Sequence, residues 1–282
     1  MLNAAALVGP SERVIDLSDF ARPKPRSRSR FPGDPTISVV YGGGGAMGIA
    51  WHVAVIDALR SLGLPVDAAP SIGTSAGSWA CGAARLGLSF DEFAGFGDLD
   101  LPDRSPGLLR GLAAQIYGEA RLDNVRISVT ALPTMRHHLL DASRFPLPDL
   151  IAASSAVPGV FSPHEIAGRR YVDGGVRAMA SAGSAAGADL LIVSLPIAGA
   201  VFGPVGRAFE QAARRAMARW RERHGGTTIV LRPGAAFASR IGVRPGNVMD
   251  VELAKSLYPV AYDTVVRRLE TRIRQIARST SH

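Results

Sequence analysis

The chain has 282 residues, 47% apolar and 20% charged, the balance of a folded globular protein and too apolar for a disordered one. Its net charge of +8 is almost wholly arginine, with lysine only at Lys24 and Lys255, so the basic balance reads as compositional bias and no nucleic-acid partner is expected. The single cysteine, Cys81, excludes an internal disulfide framework and suits a reducing compartment. No stretch reads as a membrane span: Leu190 to Val205 is interrupted by Pro196, Gly199, Gly203 and Pro204 and is shorter than the ~20 residues required. Met1 to Pro10 lacks the basic start and apolar centre of a secretory signal, and the expectation is a soluble, cytoplasmic protein.

Residues 1–35 stand apart in composition, with a Pro/Ser/Arg run from Arg22 to Arg30 that cannot build a core. They read as a solvated leader or, alternatively, as an electrostatic tether making peripheral contact with an anionic membrane. The folded domain is expected over residues 36–282. Thr36 to Tyr41 is β-branched and apolar and predicts a buried strand. After the loop Gly42–Gly48, Ile49 to Leu62 predicts a helix, with Ile49, Val53, Ile56 and Leu59 on one face and Gly63 as its stop. Ala68 to Ile72 predicts a second strand, followed by the turn Gly73–Gly77 and a helix from Ser78 to Leu86.

The next stretch, Leu88 to Ala120, carries Phe90, Phe93, Phe96, Leu99, Leu101, Leu108, Leu109 and Leu112. Those residues suit helices packed on the sheet, or a cap lining an acyl-chain groove. Strands are predicted over Val125–Leu132, His137–Leu140 and Ala188–Leu195, and helices over Phe209–Arg223 and Val251–Arg278, the latter interrupted at Pro259. The arginines of the last helix, Arg267, Arg268, Arg272, Arg274 and Arg278, read as a solvated face that could also favour an anionic membrane. Alternating strands and helices imply an α/β domain around a mainly parallel sheet.

Chemistry concentrates in two glycine turns. In Gly42–Gly48, the glycines free backbone N–H groups between a strand and a helix N-terminus, a setting for negative charge. The loop matches Gly-x-Gly-x-x-Gly at Gly43, Gly45 and Gly48, with Asp67 about twenty residues on, so a dinucleotide phosphate and an oxyanion both fit it. The second turn, Gly73-Thr74-Ser75-Ala76-Gly77, has the Gly-x-Ser-x-Gly spacing of a nucleophile elbow. It would present Ser75 at the mouth of the sheet with the Ala76 N–H aimed at the same place, which favours the oxyanion.

A serine nucleophile needs a base. The histidines beyond Ser75 are His137, His138, His164, His224 and His282, and no motif frames any of them. Asp173, in Tyr171-Val172-Asp173-Gly174-Gly175, is better framed, although Asp-Gly also suits a hairpin turn.

With these motifs in this order, the sequence resembles the patatin-like phospholipases, a family of lipid acyl hydrolases. The resemblance rests on Gly43-Gly44-Gly45-Ala46-Met47-Gly48, on Gly73-Thr74-Ser75-Ala76-Gly77 and on Asp173-Gly174-Gly175, with the stretch Ala153 to Pro163 running toward the aspartate. It covers about residues 36–255. It implies a three-layer α/β/α sandwich and a Ser–Asp dyad, with Ser75 as nucleophile and Asp173 as general base. Gly43, Gly44, Gly45 and Ala76 would form the oxyanion hole, framed by Gly48, Gly73, Gly77, Gly174 and Gly175. A lipid or fatty-acyl ester would be the substrate, and neither cofactor nor metal is expected. Met47 stands where many members carry arginine or lysine. Two other readings stay open: a Ser-His-Asp esterase using His224, and a non-catalytic nucleotide- or acyl-binding module.

Overall fold

Every residue of the first strand is buried, which a strand achieves only when both faces of its sheet are covered. The computed structural model describes residues 34–94, 100–242 and 245–279. Its elements run β1 (Ile37–Tyr41), α1 (Gly45–Ser61), β2 (Ser71–Thr74), α2 (Ala76–Leu86), α3 (Asp91–Ala94), α4 (Leu108–Tyr117), β3 (Val125–Ala131) and β4 (Arg136–Asp141). There follow α5 (Leu147–Ser155), β5 (His164–Ile166), β6 (Arg169–Asp173), β7 (Leu190–Ser194), α6 (Gly203–His224), β8 (Thr227–Leu231), α7 (Ala235–Ile241) and α8 (Val251–Ser279). The leader expected over residues 1–35 lies outside the described residues except for its last two, as do Phe96 and Leu99.

Alternation along the central strands assigns the two layers. Ile37, Val39 and Tyr41 of β1, with Leu190 and Ile192 of β7, face the core shared with α1, α2 and α8. Val40, Leu191 and Val193 face the opposite way, against Ala213, Ala216, Met217 and Trp220 of α6. The result is the expected three-layer α/β/α sandwich. The pairings β1–β2, β1–β7, β2–β3 and β7–β8 are parallel. Those of β3 with β4 and β6, and of β5 with β6, are antiparallel.

Strand β3 organises the functional end of this sheet. A strand has two hydrogen-bonding edges, and β4 occupies one of them from Arg126 to Ala131. The other edge is divided. Strand β2 pairs with it up to Thr74↔Ser128, and β6 pairs from Asp173↔Val129 onward in the opposite direction. Two strands that are distant in sequence therefore end facing each other at neighbouring residues of β3.

Several boundaries differ from expectation. Helix α1 begins four residues early, at Gly45, because the glycine loop turns directly into its first turn. Strand β2 ends two residues later than expected, at Thr74. Helix α8 continues through Pro259 without a break. Asp173 does not open a hairpin; it ends β6 and leads into a 3-10 turn over Gly174–Val176. Strands β5, β6 and β8 and helices α5 and α7 carried no strong periodic signal and were not anticipated.

The α6 layer depends on one large side chain. Trp220 is fully buried, and its Nε1–H donates to the Ala186 carbonyl at 3.1 Å. Trp220→Ala should lower the unfolding free energy by about 3–5 kcal/mol, read from urea denaturation monitored by circular dichroism.

Candidate active site

The turn between β2 and α2 holds Ser75 at φ 52° and ψ −121°, a left-handed region that costs a non-glycine residue about 1–3 kcal/mol. The surroundings over-determine this conformation. The Ser75 N–H donates to Ser154 Oγ at 2.8 Å, and that hydroxyl donates in turn to the Ser128 carbonyl at 2.7 Å. The Ser75 carbonyl accepts from the Ser78 N–H at 2.7 Å and the Ser78 hydroxyl at 2.6 Å. The flanking glycines let the backbones close up: a Cβ at Gly77 would overlap the Tyr41 carbonyl, and one at Gly73 the Gly77 carbonyl.

Asp173 arrives from the other side of the junction on β3. Its N–H donates to the Ala156 carbonyl at 3.0 Å, and its carbonyl accepts from Thr130 Oγ1 at 3.1 Å. Its carboxylate accepts the Gly175 N–H at 2.6 Å, and the Ser75 side chain stands beside it and favours its charged form. The side chain is only 5% exposed. Burial pushes its pKa from the usual carboxylate range up to about 6, opposed by the hydrogen bonds from Ser75 and Gly175.

The glycine loop enters the site behind Ser75. The Gly42 N–H donates to the Ser194 carbonyl at 2.9 Å, and the Gly43 N–H to the Met179 carbonyl at 3.0 Å. Gly43 is therefore corrected as an expected oxyanion donor, because its N–H is already committed within the protein. The N–H groups of Gly44, Gly45 and Ala76 have no partner among the described residues. Gly45 needs its missing side chain twice over, for φ 62° and because a Cβ would press on the Val248 carbonyl.

A buried histidine fixes the root of this loop. His52 Nε2 lies 2.7 Å from the Gly42 carbonyl, and Nδ1 lies 2.8 Å from Ser194 Oγ. Full burial lowers its pKa to about 4, so the ring is neutral near pH 7. The pattern assigns the proton to Nε2, which donates to Gly42. Ser194 Oγ then donates to Nδ1 while accepting the Trp51 Nε1–H at 3.1 Å. Met47 is fully buried in the main core and does not reach the site.

Ser75, Asp173 and the loop border a cavity of about 530 Å³. Leu109, Leu112, Val157, Phe161, Met179 and Met249 contribute apolar walls, and among the described residues Asp173 is the one ionisable residue in the lining. The Leu88–Ala120 stretch contributes both to the core and to the cavity wall. Leu109 and Leu112 face the cavity, whereas Phe93 belongs to the core and Phe90 stacks on Tyr258 with ring centroids 4.9 Å apart.

The rival residues lie elsewhere. His224 is exposed beside Trp220, His164 meets Asp149 at 2.9 Å, and His137 meets Ser128 Oγ at 2.9 Å. His138 packs edge-on to Tyr171, and His282 lies outside the described residues. No histidine lines the cavity among the described residues. Asp67, the acid a dinucleotide fingerprint would use, instead pairs with Arg60 at 2.8 Å. The described residues contain no His/Cys/Asp/Glu cluster able to hold a metal, and no helix among them is long and apolar enough to cross a membrane.

Sequence reasoning missed Ser154, Met179 and the Val248–Met249 roof. Ser154 lay within the Ala153–Pro163 stretch already singled out, but a buried serine in a helix announces no partner. Met179 and Val248 carried no signal, since contacts across the chain bring them to the loop.

A family model described as patatin-like phospholipase matches residues 94–186, a span that includes Asp173 and begins after Ser75. Uncharacterized NTE family proteins of Mycobacterium bovis and Mycobacterium tuberculosis are 33% identical over 166 residues, 53% of this chain and 45% of theirs. The chain thus spans less than half the length of these relatives. VipD from Legionella pneumophila superposes with a TM-score of 0.46 at 13% identity, over 86% of this chain and 68% of that one.

Two stability measurements probe the site. The folded state holds the Asp173 proton to about pH 6, whereas an unfolded carboxyl releases it near 3.8, so wild-type stability falls as pH rises through that window. Asp173→Asn should remove the burial penalty, raising unfolding free energy by up to about 3 kcal/mol near pH 8 and by little below about pH 4. Met47→Arg should place an unpaired cation in the core and cost several kcal/mol, on the order of 3–5, measured by chemical denaturation.

Proposed function

We propose that this chain, whose residues 94–186 match the patatin-like phospholipase model, is a serine acyl hydrolase acting on carboxylic esters of lipids or other fatty-acyl groups. The observation that carries this reading is the placement of Ser75, in its strained turn, beside the buried Asp173 carboxylate in the lining of one largely apolar cavity.

In this mechanism Ser75 Oγ attacks the ester carbonyl carbon as its proton passes to Asp173. The developing oxyanion is held by the Gly44, Gly45 and Ala76 N–H groups, which point from a helix-bound loop and a helix start. Collapse of the tetrahedral intermediate breaks the ester C–O bond, and the departing alcohol takes the proton from Asp173. A water then gives a proton to Asp173 and attacks the acyl-enzyme, releasing the acid and restoring Ser75.

The electrostatics support a two-residue device. A free carboxylate is a weak base toward a serine hydroxyl, but burial brings the Asp173 pKa to about 6 and nearer the working pH. Oxyanion donors supply much of the remaining barrier reduction, each worth roughly 3–4 kcal/mol in comparable hydrolases. The apolar walls suit an acyl chain, and among the described residues the lining offers no cation to a phosphate head group. The same reading puts the enzyme in the cytoplasm, which accords with Cys81 as a fully buried free thiol.

A fluorophosphonate probe should label Ser75, and p-nitrophenyl ester hydrolysis should fall by at least about a thousandfold in both Ser75→Ala and Asp173→Asn. His224→Ala should retain wild-type activity. The kcat/KM profile should lose activity below an apparent pKa of about 6, where Asp173 becomes protonated. An active Asp173→Asn enzyme together with a dead His224→Ala enzyme would replace the dyad by a triad.

A further inference from the structure

A second cavity, of about 380 Å³, lies at the opposite end of the sheet along the outer side of β8. The ladder to β7 sets which groups face it. The Thr227 N–H donates to the Asp189 carbonyl at 2.8 Å, and the Leu195 N–H donates to the Leu231 carbonyl at 2.8 Å. Alternation in a parallel ladder then turns the N–H and C=O of Thr228 and Val230 away from β7. Among the described residues no other strand pairs with that edge.

The gap beside the edge is walled by one helix from each outer layer. Arg214 and Arg221 come from α6, Arg268 and Arg272 from α8. Arg221 donates to Thr228 Oγ1 at 2.9 Å, and Arg268 donates to the Arg232 carbonyl. Arg268 is half-buried, and desolvation together with the Arg232 charge holds its pKa below the usual guanidinium value. Among the described residues, no carboxylate forms an ion pair with Arg221, Arg268 or Arg272.

We propose that this slot docks an extended acidic segment of a partner protein, which adds as a strand to the free edge of β8 and sets its carboxylates against Arg221, Arg268 and Arg272. The edge supplies main-chain donors and acceptors in strand register, and the arginines select the sign of the side chains. A second copy of this chain is the wrong occupant, because edge-to-edge pairing would bring like guanidinium groups together. Two arginines expected on a solvated or membrane-facing helix surface thus belong to the β8 edge. The slot is separate from the Ser75 cavity, and the inference does not rest on the hydrolase reading.

The test uses the full chain and a fluorescein-labelled alternating Glu-Val peptide of about eight residues, followed by anisotropy at low salt. Saturable binding is expected, weakened at least about tenfold by the Arg268→Glu, Arg272→Glu double variant. Val230→Pro, which deletes an outward N–H that the fold does not use, should weaken it comparably. Circular dichroism of each variant verifies that the fold is retained. Absence of saturable binding would overturn the proposal. So would unchanged binding by Val230→Pro, or equal competition from a proline-substituted acidic peptide, a single-stranded oligonucleotide or phosphatidylserine vesicles, each of which would mean charge without strand addition.

Discussion

The meeting of β2 and β6 on one edge of β3 is the constraint on which the site depends. Parallel β2 runs up to Ser128, antiparallel β6 runs down to Val129, and neither can extend without displacing the other. Ser75 and Asp173 are the residues at that collision. Their proximity is thus set by main-chain register, not by the side chains finding each other, and register in a sheet buried on both faces is hard to slip. Ser154 ties the junction together, linking the Ser75 N–H to the Ser128 carbonyl through one buried hydroxyl.

Around that junction neutral groups hold the glycine loop, and one carboxylate, Asp173, lines the cavity. His52, buried and unprotonated, anchors the root of the glycine loop through Gly42. Ser194 Oγ bonds its other ring nitrogen while accepting the Trp51 Nε1–H, so this polar cluster leaves no unmatched ring nitrogen beside the loop. Asp173 is treated differently. It keeps a carboxylate in an environment that opposes ionisation, with two hydrogen bonds offsetting only part of the desolvation. A strained serine conformation and a destabilised carboxylate are both costs to folding, and both are concentrated where the cavity opens.

The two ends of the sheet are built on opposing principles. Around β3 strands abut, and the described lining of the cavity beside them is mostly apolar, with Ser75, Ser155 and Asp173 as its polar side chains. At the β8 end, the outward groups of Thr228 and Val230 face a gap walled by arginines from α6 and α8. Among the described residues, the helical layers that cover the two faces of the sheet leave its β8 edge without a strand partner, and that is a consequence of architecture as much as of local sequence.

What the chain order alone determined was the set of local devices. The β-branched run of β1, the glycine loop and the Gly-x-Ser-x-Gly turn are short-range instructions, readable because each fixes its own backbone or buries its own face. The α/β alternation was readable for the same reason, and so were Ser75 and Asp173 as framed residues. Strand β6 was not, since Arg169 and Arg170 break its apolar pattern and its burial comes from α5 and β3. Nor could the sequence tell that Gly43 has given its N–H to Met179, or that His52 serves the loop while His224 stands apart. Those outcomes depend on which carbonyl lies opposite which amide, and hydrogen-bond partners across more than a hundred residues are chosen only when the sheet register and helix packing bring them within about 3 Å.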